Sequence, residues 1–165
     1  MRAVNIFLTH PSPIFLITFI GSTVAYRCSI PPTYLTFTEM LCIPTTMFIW
    51  VLQEYLIHRY LLHELENWYH NEHHKLPYYH VSIDGLGIVA PASLVSSAIF
   101  ATLLSNHIAA TVAATYMASG LFYIWIHYLC HTRVRPGPIL RHFKNHHIIH
   151  HMKGGRYSVT FPFFV

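Results

Sequence analysis

The sequence predicts an all-α integral membrane protein, with about four transmembrane helices and a cytoplasmic, histidine-rich helical cap. Three observations carry that reading. Hydrophobic residues form 53% of the 165-residue chain and charged residues only 10%, where soluble domains carry about 25% charged residues. The apolar residues gather into stretches of the roughly 20 residues that span a bilayer, and mean hydropathy is +0.39. Fifteen histidines are present, and thirteen of them fall in the polar segments between and after those stretches or at the helix ends that feed them.

The elements follow in chain order. Residues 4–26 form a first apolar stretch, interrupted by His10, Pro11 and Pro13, and read as a kinked span or a short interfacial helix followed by a re-entrant one. No A-x-A-like site follows it, which argues against a cleaved leader. Residues 27–32 read as a turn. Residues 36–57 form a second span, with Glu39 near its outer end and Pro44 inside, where proline removes one backbone hydrogen bond and kinks the helix. Residues 83–106, charged only at Asp84, and residues 108–130, with no acidic or basic residue, form the third and fourth spans. Little more than Asn106 and His107 separates them, which predicts a tight hairpin. The cap segments are then residues 58–82 and 131–165, and the whole chain, 1–165, reads as a single membrane-embedded domain.

Four spans put Arg2, Arg59, Lys75, Arg133, Arg135, Arg141, Lys144, Lys153 and Arg156 on one face and leave Arg27 alone on the other. The positive-inside rule makes the basic face, with its histidines, cytoplasmic. Ten basic residues in all are too few for the broad basic face of a nucleic-acid binder. Cys28, Cys42 and Cys130 lie far apart, which argues against a disulfide scaffold or a cysteine zinc site.

Ten histidines stand in metal-type spacings: His58 and His63 (H-x4-H), His70, His73 and His74 (H-x2-HH), His127 and His131 (H-x3-H), and His147, His150 and His151 (H-x2-HH). Positions i, i+3 and i+4 share a helix face. Each H-x2-HH is thus expected to aim three imidazoles at one target, and H-x3-H two. His58 and His63 lie about 140° apart on an ideal helix; they serve two metals, or one where the helix distorts. Ten convergent imidazoles can hold two divalent ions at five ligands each, and imidazole suits Zn, Cu, Fe and Ni alike. His146 competes with His147 for the last register, and the matching spacing in the first half favours His147. His10 and His107 read as helix-end residues, and His80 and His142 as supporting or surface residues. Glu54, four residues before His58, either orients a histidine through its other ring nitrogen or pairs with Arg59; Asp84 has the same two readings. A metal transporter would need polar ligands within the spans, and a bis-histidine cytochrome would need single histidines on facing helices, so neither fits.

The stretches EYLIHRYLLH, HNEHH and HYLCHTRVRPGPILRHFKNHHIIHHMKGGRYSVTFP resemble the fatty acid hydroxylase / sterol desaturase superfamily, over about residues 52–164. Asp84 followed by an apolar run to Pro91 is similar to a further family motif. The resemblance implies an integral membrane enzyme with two iron ions (zinc as isolated) held by His58, His63, His70, His73, His74, His127, His131, His147, His150 and His151. It implies O2-dependent hydroxylation of a fatty acyl chain, with two electrons from a separate ferredoxin or cytochrome b5 and its reductase, since no H-P-G-G haem motif is present. Ser158 stands where the family often has glycine, and Val165 where an aspartate is common. The six residues between His63 and His70 resemble bacterial beta-carotene hydroxylases, whereas the tail resembles the fatty acid branch. Carotenoid hydroxylation, lipid or sterol desaturation, and a non-catalytic membrane metal-binding protein are the alternatives.

Overall fold

The computed structural model describes residues 2–65, 68–78 and 83–161, and all regular structure among them is helical. The helices are α1 (Arg2–Thr9), α2 (Pro11–Ser29), α3 (Phe37–Leu56), a π-helical segment (Ile57–Glu64), α4 (Trp68–Lys75), α5 (Leu86–Leu103), α6 (Asn106–Cys130) and α7 (Pro138–Lys153). Three stretches are long and apolar enough to cross a membrane: Phe37–Glu64, Leu86–Leu103 and Asn106–Cys130. The broken pair α1 and α2 makes a fourth if counted as one span. The chain is therefore an all-α membrane protein with three or four candidate spans.

Local chemistry explains the boundaries. Proline at a first helical position lacks only a hydrogen bond that no helix start could make, and Pro11 opens α2 as Pro138 opens α7. His10 caps α2: its Nδ1 accepts the backbone N–H of Ser12 at 3.3 Å. Ser29 ends α2, so Arg27 lies in the last helical turn rather than in the expected turn at 27–32. α3 runs through Pro44 as one continuous helix.

The chain divides into two compact units. One comprises Leu8–Trp50 and Asp84–Leu121. Its polar centre is the pair Arg27 and Glu39, both buried. The guanidinium holds both carboxylate oxygens of Glu39, one of them at 2.8 Å. It also donates to the carbonyls of Pro32 at 2.7 Å and Tyr34 at 2.9 Å, which fastens the turn between α2 and α3. Glu39 in addition accepts the N–H and hydroxyl of Thr36, at 2.9 and 2.8 Å, and the Thr111 hydroxyl from α6 at 2.6 Å. A buried charge persists only when paired and hydrogen-bonded, and this carboxylate meets both conditions. Asp84 belongs to this unit, where its carbonyl accepts the Ser12 hydroxyl at 2.6 Å. Trp50 packs edge-on against Tyr116 at 4.7 Å and crowds Gly120, where a Cβ would stand 3.1 Å from the indole.

The other unit comprises Met1–Phe7, Val51–Ile83 and Phe122–Val165, and it contains all ten histidines of the four boxes. Ile126 and Cys130 of α6 pack with Val159 of the C-terminal segment, flanked by Tyr123, Trp125 and Phe143. Phe7 packs edge-on against Trp125 at 4.6 Å, and the Tyr128 hydroxyl donates to the carbonyl of Ala3 at 3.0 Å. The start of α1 is thereby tied to the last turns of α6.

Candidate metal centre

Four helical pieces bring the imidazoles together. The π-helical segment carries His58 and His63, α4 carries His70, His73 and His74, the end of α6 leads through His127 to His131, and α7 carries His147, His150 and His151. In a π-helix the i→i+5 hydrogen bond brings residues five apart onto one face. H-x4-H therefore aims both rings one way here, where an ideal α-helix would divide them.

The rings form two clusters. His58, His63, His70, His74 and His150 present five nitrogens that lie within 4.8 Å of one another, and His73, His131, His147 and His151 present four more in the same way. His127 joins the second set, its Nε2 3.2 Å from that of His73. The expected grouping of each H-x2-HH on one target is corrected by this arrangement. His70 and His74 face the first cluster while His73 faces the second, and His147 and His151 face the second while His150 faces the first. Along α4 and α7 the residues one turn apart stay together, and the third falls on the flank of the helix.

The rings approach one another through their Nε2 atoms. His70 meets His58 at 3.1 Å, His63 at 3.0 Å and His74 at 3.1 Å, and His150 meets His63 at 3.2 Å and His74 at 3.1 Å. In the second cluster His147 meets His131 at 2.8 Å and His151 at 3.0 Å. Ligands at right angles around an ion with metal–nitrogen bonds of about 2.0–2.1 Å stand about 3.0 Å apart. The donor set thus fits two divalent cations. The opposite ring nitrogens support this: Nδ1 of His58 donates to the Tyr157 carbonyl and Nδ1 of His150 to the Gly155 carbonyl, each at 2.5 Å. Such a bond fixes the tautomer and turns the Nε2 lone pair inward. Nε2 lone pairs packed this closely repel one another, and a cation relieves that repulsion.

Burial keeps these rings neutral. It pushes His70 and His151 down to about 2, His74 and His131 to about 3, and His73 and His150 to about 4. His147 is held well below the usual imidazole value by the same cause. A proton therefore does not compete for these lone pairs near neutral pH.

The supporting candidates take up different positions. Glu54 neither orients a histidine ring directly nor pairs with Arg59; its carboxylate accepts the N–H groups of Val159 and Thr160. Arg59 instead donates to the Tyr55 hydroxyl at 2.6 Å. His146 is buried, and its Nε2 has no hydrogen-bond partner among the described residues. His142 is exposed, and His80 lies outside the described residues. The carbonyls of Gly155 and Tyr157 escaped sequence reading. The Gly154-Gly155 pair was their one signal, because both glycines, with Arg156, adopt positive φ (69°, 66° and 55°) and curl the chain back toward the rings.

A family model described as fatty acid hydroxylase matches residues 43–164. Among curated proteins, the chain is similar to the fatty acid 2-hydroxylase of Macaca fascicularis, at 32% identity over 151 residues, and to that of Homo sapiens, at 30% over 151 residues. Each alignment covers 81% of this chain and 38% of the relative, so the chain spans well under half the length of these relatives. A solved structure of full-length scs7p, with only its hydroxylase domain visible, has a similar fold. Its TM-score is 0.74 at 17% identity, over 92% of this chain and 62% of that one.

Proposed function

Because the chain belongs to the fatty acid hydroxylase family, we propose that it is a membrane-bound non-haem di-iron oxygenase that hydroxylates a fatty acyl or related lipid chain. The observation that carries this reading is the pair of Nε2 clusters fed by the ends of apolar, span-length helices. In this reading His58, His63, His70, His74 and His150 hold one ion, and His73, His127, His131, His147 and His151 hold the other. The cytoplasmic face carries both. When bound, the pair of iron ions supplies the redox chemistry that activates O2.

The protein's own residues supply position and environment. Buried, neutral imidazoles keep their lone pairs inward, and the Tyr157 and Gly155 carbonyls hold His58 and His150 at fixed rotation. The overall reaction takes a C–H bond, O2, two electrons and two protons to an alcohol and water. The electrons come from a separate ferredoxin, or cytochrome b5 with its reductase. The substrate reaches the site from the bilayer. The name of the curated relatives makes carbon 2 of an acyl chain the first position to examine.

Lipid profiling of cells with and without the gene, under 18O2 and with a working reductase, tests the proposal. A new lipid hydroxyl carrying 18O supports it and identifies the substrate. A new double bond without 18O moves the reaction to desaturation. An unchanged lipid profile in several hosts overturns the catalytic reading.

A further inference from the structure

We propose that Glu54 is a positioning residue for the five-histidine cluster, acting through the backbone of the C-terminal segment. This rests on the reading that the cluster holds a metal ion. Glu54 lies on α3, four residues before His58, and is 7% exposed. One carboxylate oxygen accepts the N–H of Val159, the N–H of Thr160 at 3.0 Å and the Ser158 hydroxyl at 3.4 Å; the other accepts the Thr160 hydroxyl. Those donors lie immediately after Tyr157, and the carbonyls that turn His58 and His150 inward belong to Tyr157 and Gly155.

Two features make the anchor necessary. Residues 154–156 all have positive φ, a conformation that costs an L-residue such as Arg156 energy and persists only where its surroundings impose it. The imposing contacts include the Glu54 carboxylate just beyond the curl, Val159 packed against Ile126 and Cys130, and the His146 ring, which is hydrogen-bonded to the backbone of Arg156 and Ser158. The second cluster takes no support from this segment: Nδ1 of His147 and of His151 has no partner among the described residues, and the His131 ring is hydrogen-bonded to the backbone of Pro77. The effect of Glu54 is therefore one-sided. It preserves one cluster and leaves the other unaffected.

Stepwise Co2+ binding to the purified full chain, followed by visible absorption, tests this, with His58→Ala and His131→Ala marking which step belongs to which cluster. Glu54→Gln keeps the shape but turns an N–H-bearing group toward N–H donors. It should weaken the five-histidine step roughly 10- to 100-fold, the range for supporting groups around metal ligands, and leave the other step unchanged. Amide exchange in metal-free protein should quicken across residues 155–160. If Glu54→Gln does not fold, Thr160→Val removes one donor with little change of shape and should weaken the same step by a smaller factor. Equal weakening of both steps, or of neither, overturns the proposal. A wild-type chain that binds no Co2+ overturns the metal reading instead. Exchange then decides the clamp alone, and unchanged exchange across 155–160 overturns it.

Discussion

His146 and His147 are neighbours on α7 whose Nε2 atoms meet different surroundings. That of His147 stands 2.8 Å from His131 and 3.0 Å from His151, whereas that of His146 is buried with no partner among the described residues. His147→Ala should therefore lose metal from the second cluster, while His146→Ala and His107→Ala retain it, as metal per chain measured on freshly purified protein. Damage from His146→Ala instead would shift the register of the last box by one. The repeated H-x2-HH spacing already separated these two residues in the sequence. It could not sort the rings between two ions. A spacing rule describes one helix at a time, and the division of His70 and His74 from His73 arises from where other helices place His131 and His150.

The π-helical segment is the element whose geometry the sequence concealed. At 100° per residue, positions five apart diverge by about 140°, so His58 and His63 could be assigned to one ion or to two. Formation of i→i+5 bonds over Ile57–Glu64 aligns them. Moving the second histidine back one place, by Leu62→His with His63→Leu, restores an α-helical spacing and should break the site. The five-histidine cluster should bind Co2+ more weakly, by an amount comparable to His63→Ala. Undiminished binding would show that the segment relaxes to an α-helix and that the π geometry is not required. The long apolar helices were legible for the opposite reason. Apolar runs at 36–57, 83–106 and 108–130 match Phe37–Leu56, Leu86–Leu103 and Asn106–Cys130 closely, because apolar length is a property of the chain itself rather than of its neighbours.

Sidedness belongs to the molecule as a whole. Lys75 and Lys153 lie in the unit that holds all ten box histidines, and the excess of basic residues there is the ground for proposing that side as cytoplasmic. Single cysteines placed near Lys75 and after Lys153, in a background with Cys28, Cys42 and Cys130 replaced, should react with an impermeant thiol reagent from the same, cytoplasmic side. Labelling from opposite sides would put an odd number of spans between them and divide the site. Charge counting proposes this orientation without showing what Arg27 does, since in the sequence it reads as a lone cation in a turn on the far side. In the structure it is buried against Glu39 and grips the carbonyls of Pro32 and Tyr34. The pair therefore bears on biogenesis. Synthesis delivers Arg27 twelve residues before its partner, so α2 on its own would bring an unneutralised guanidinium to the bilayer. The two helices are therefore expected to enter lipid as a hairpin, after Glu39 has emerged, with the Thr111 hydroxyl joining the pair once α6 follows.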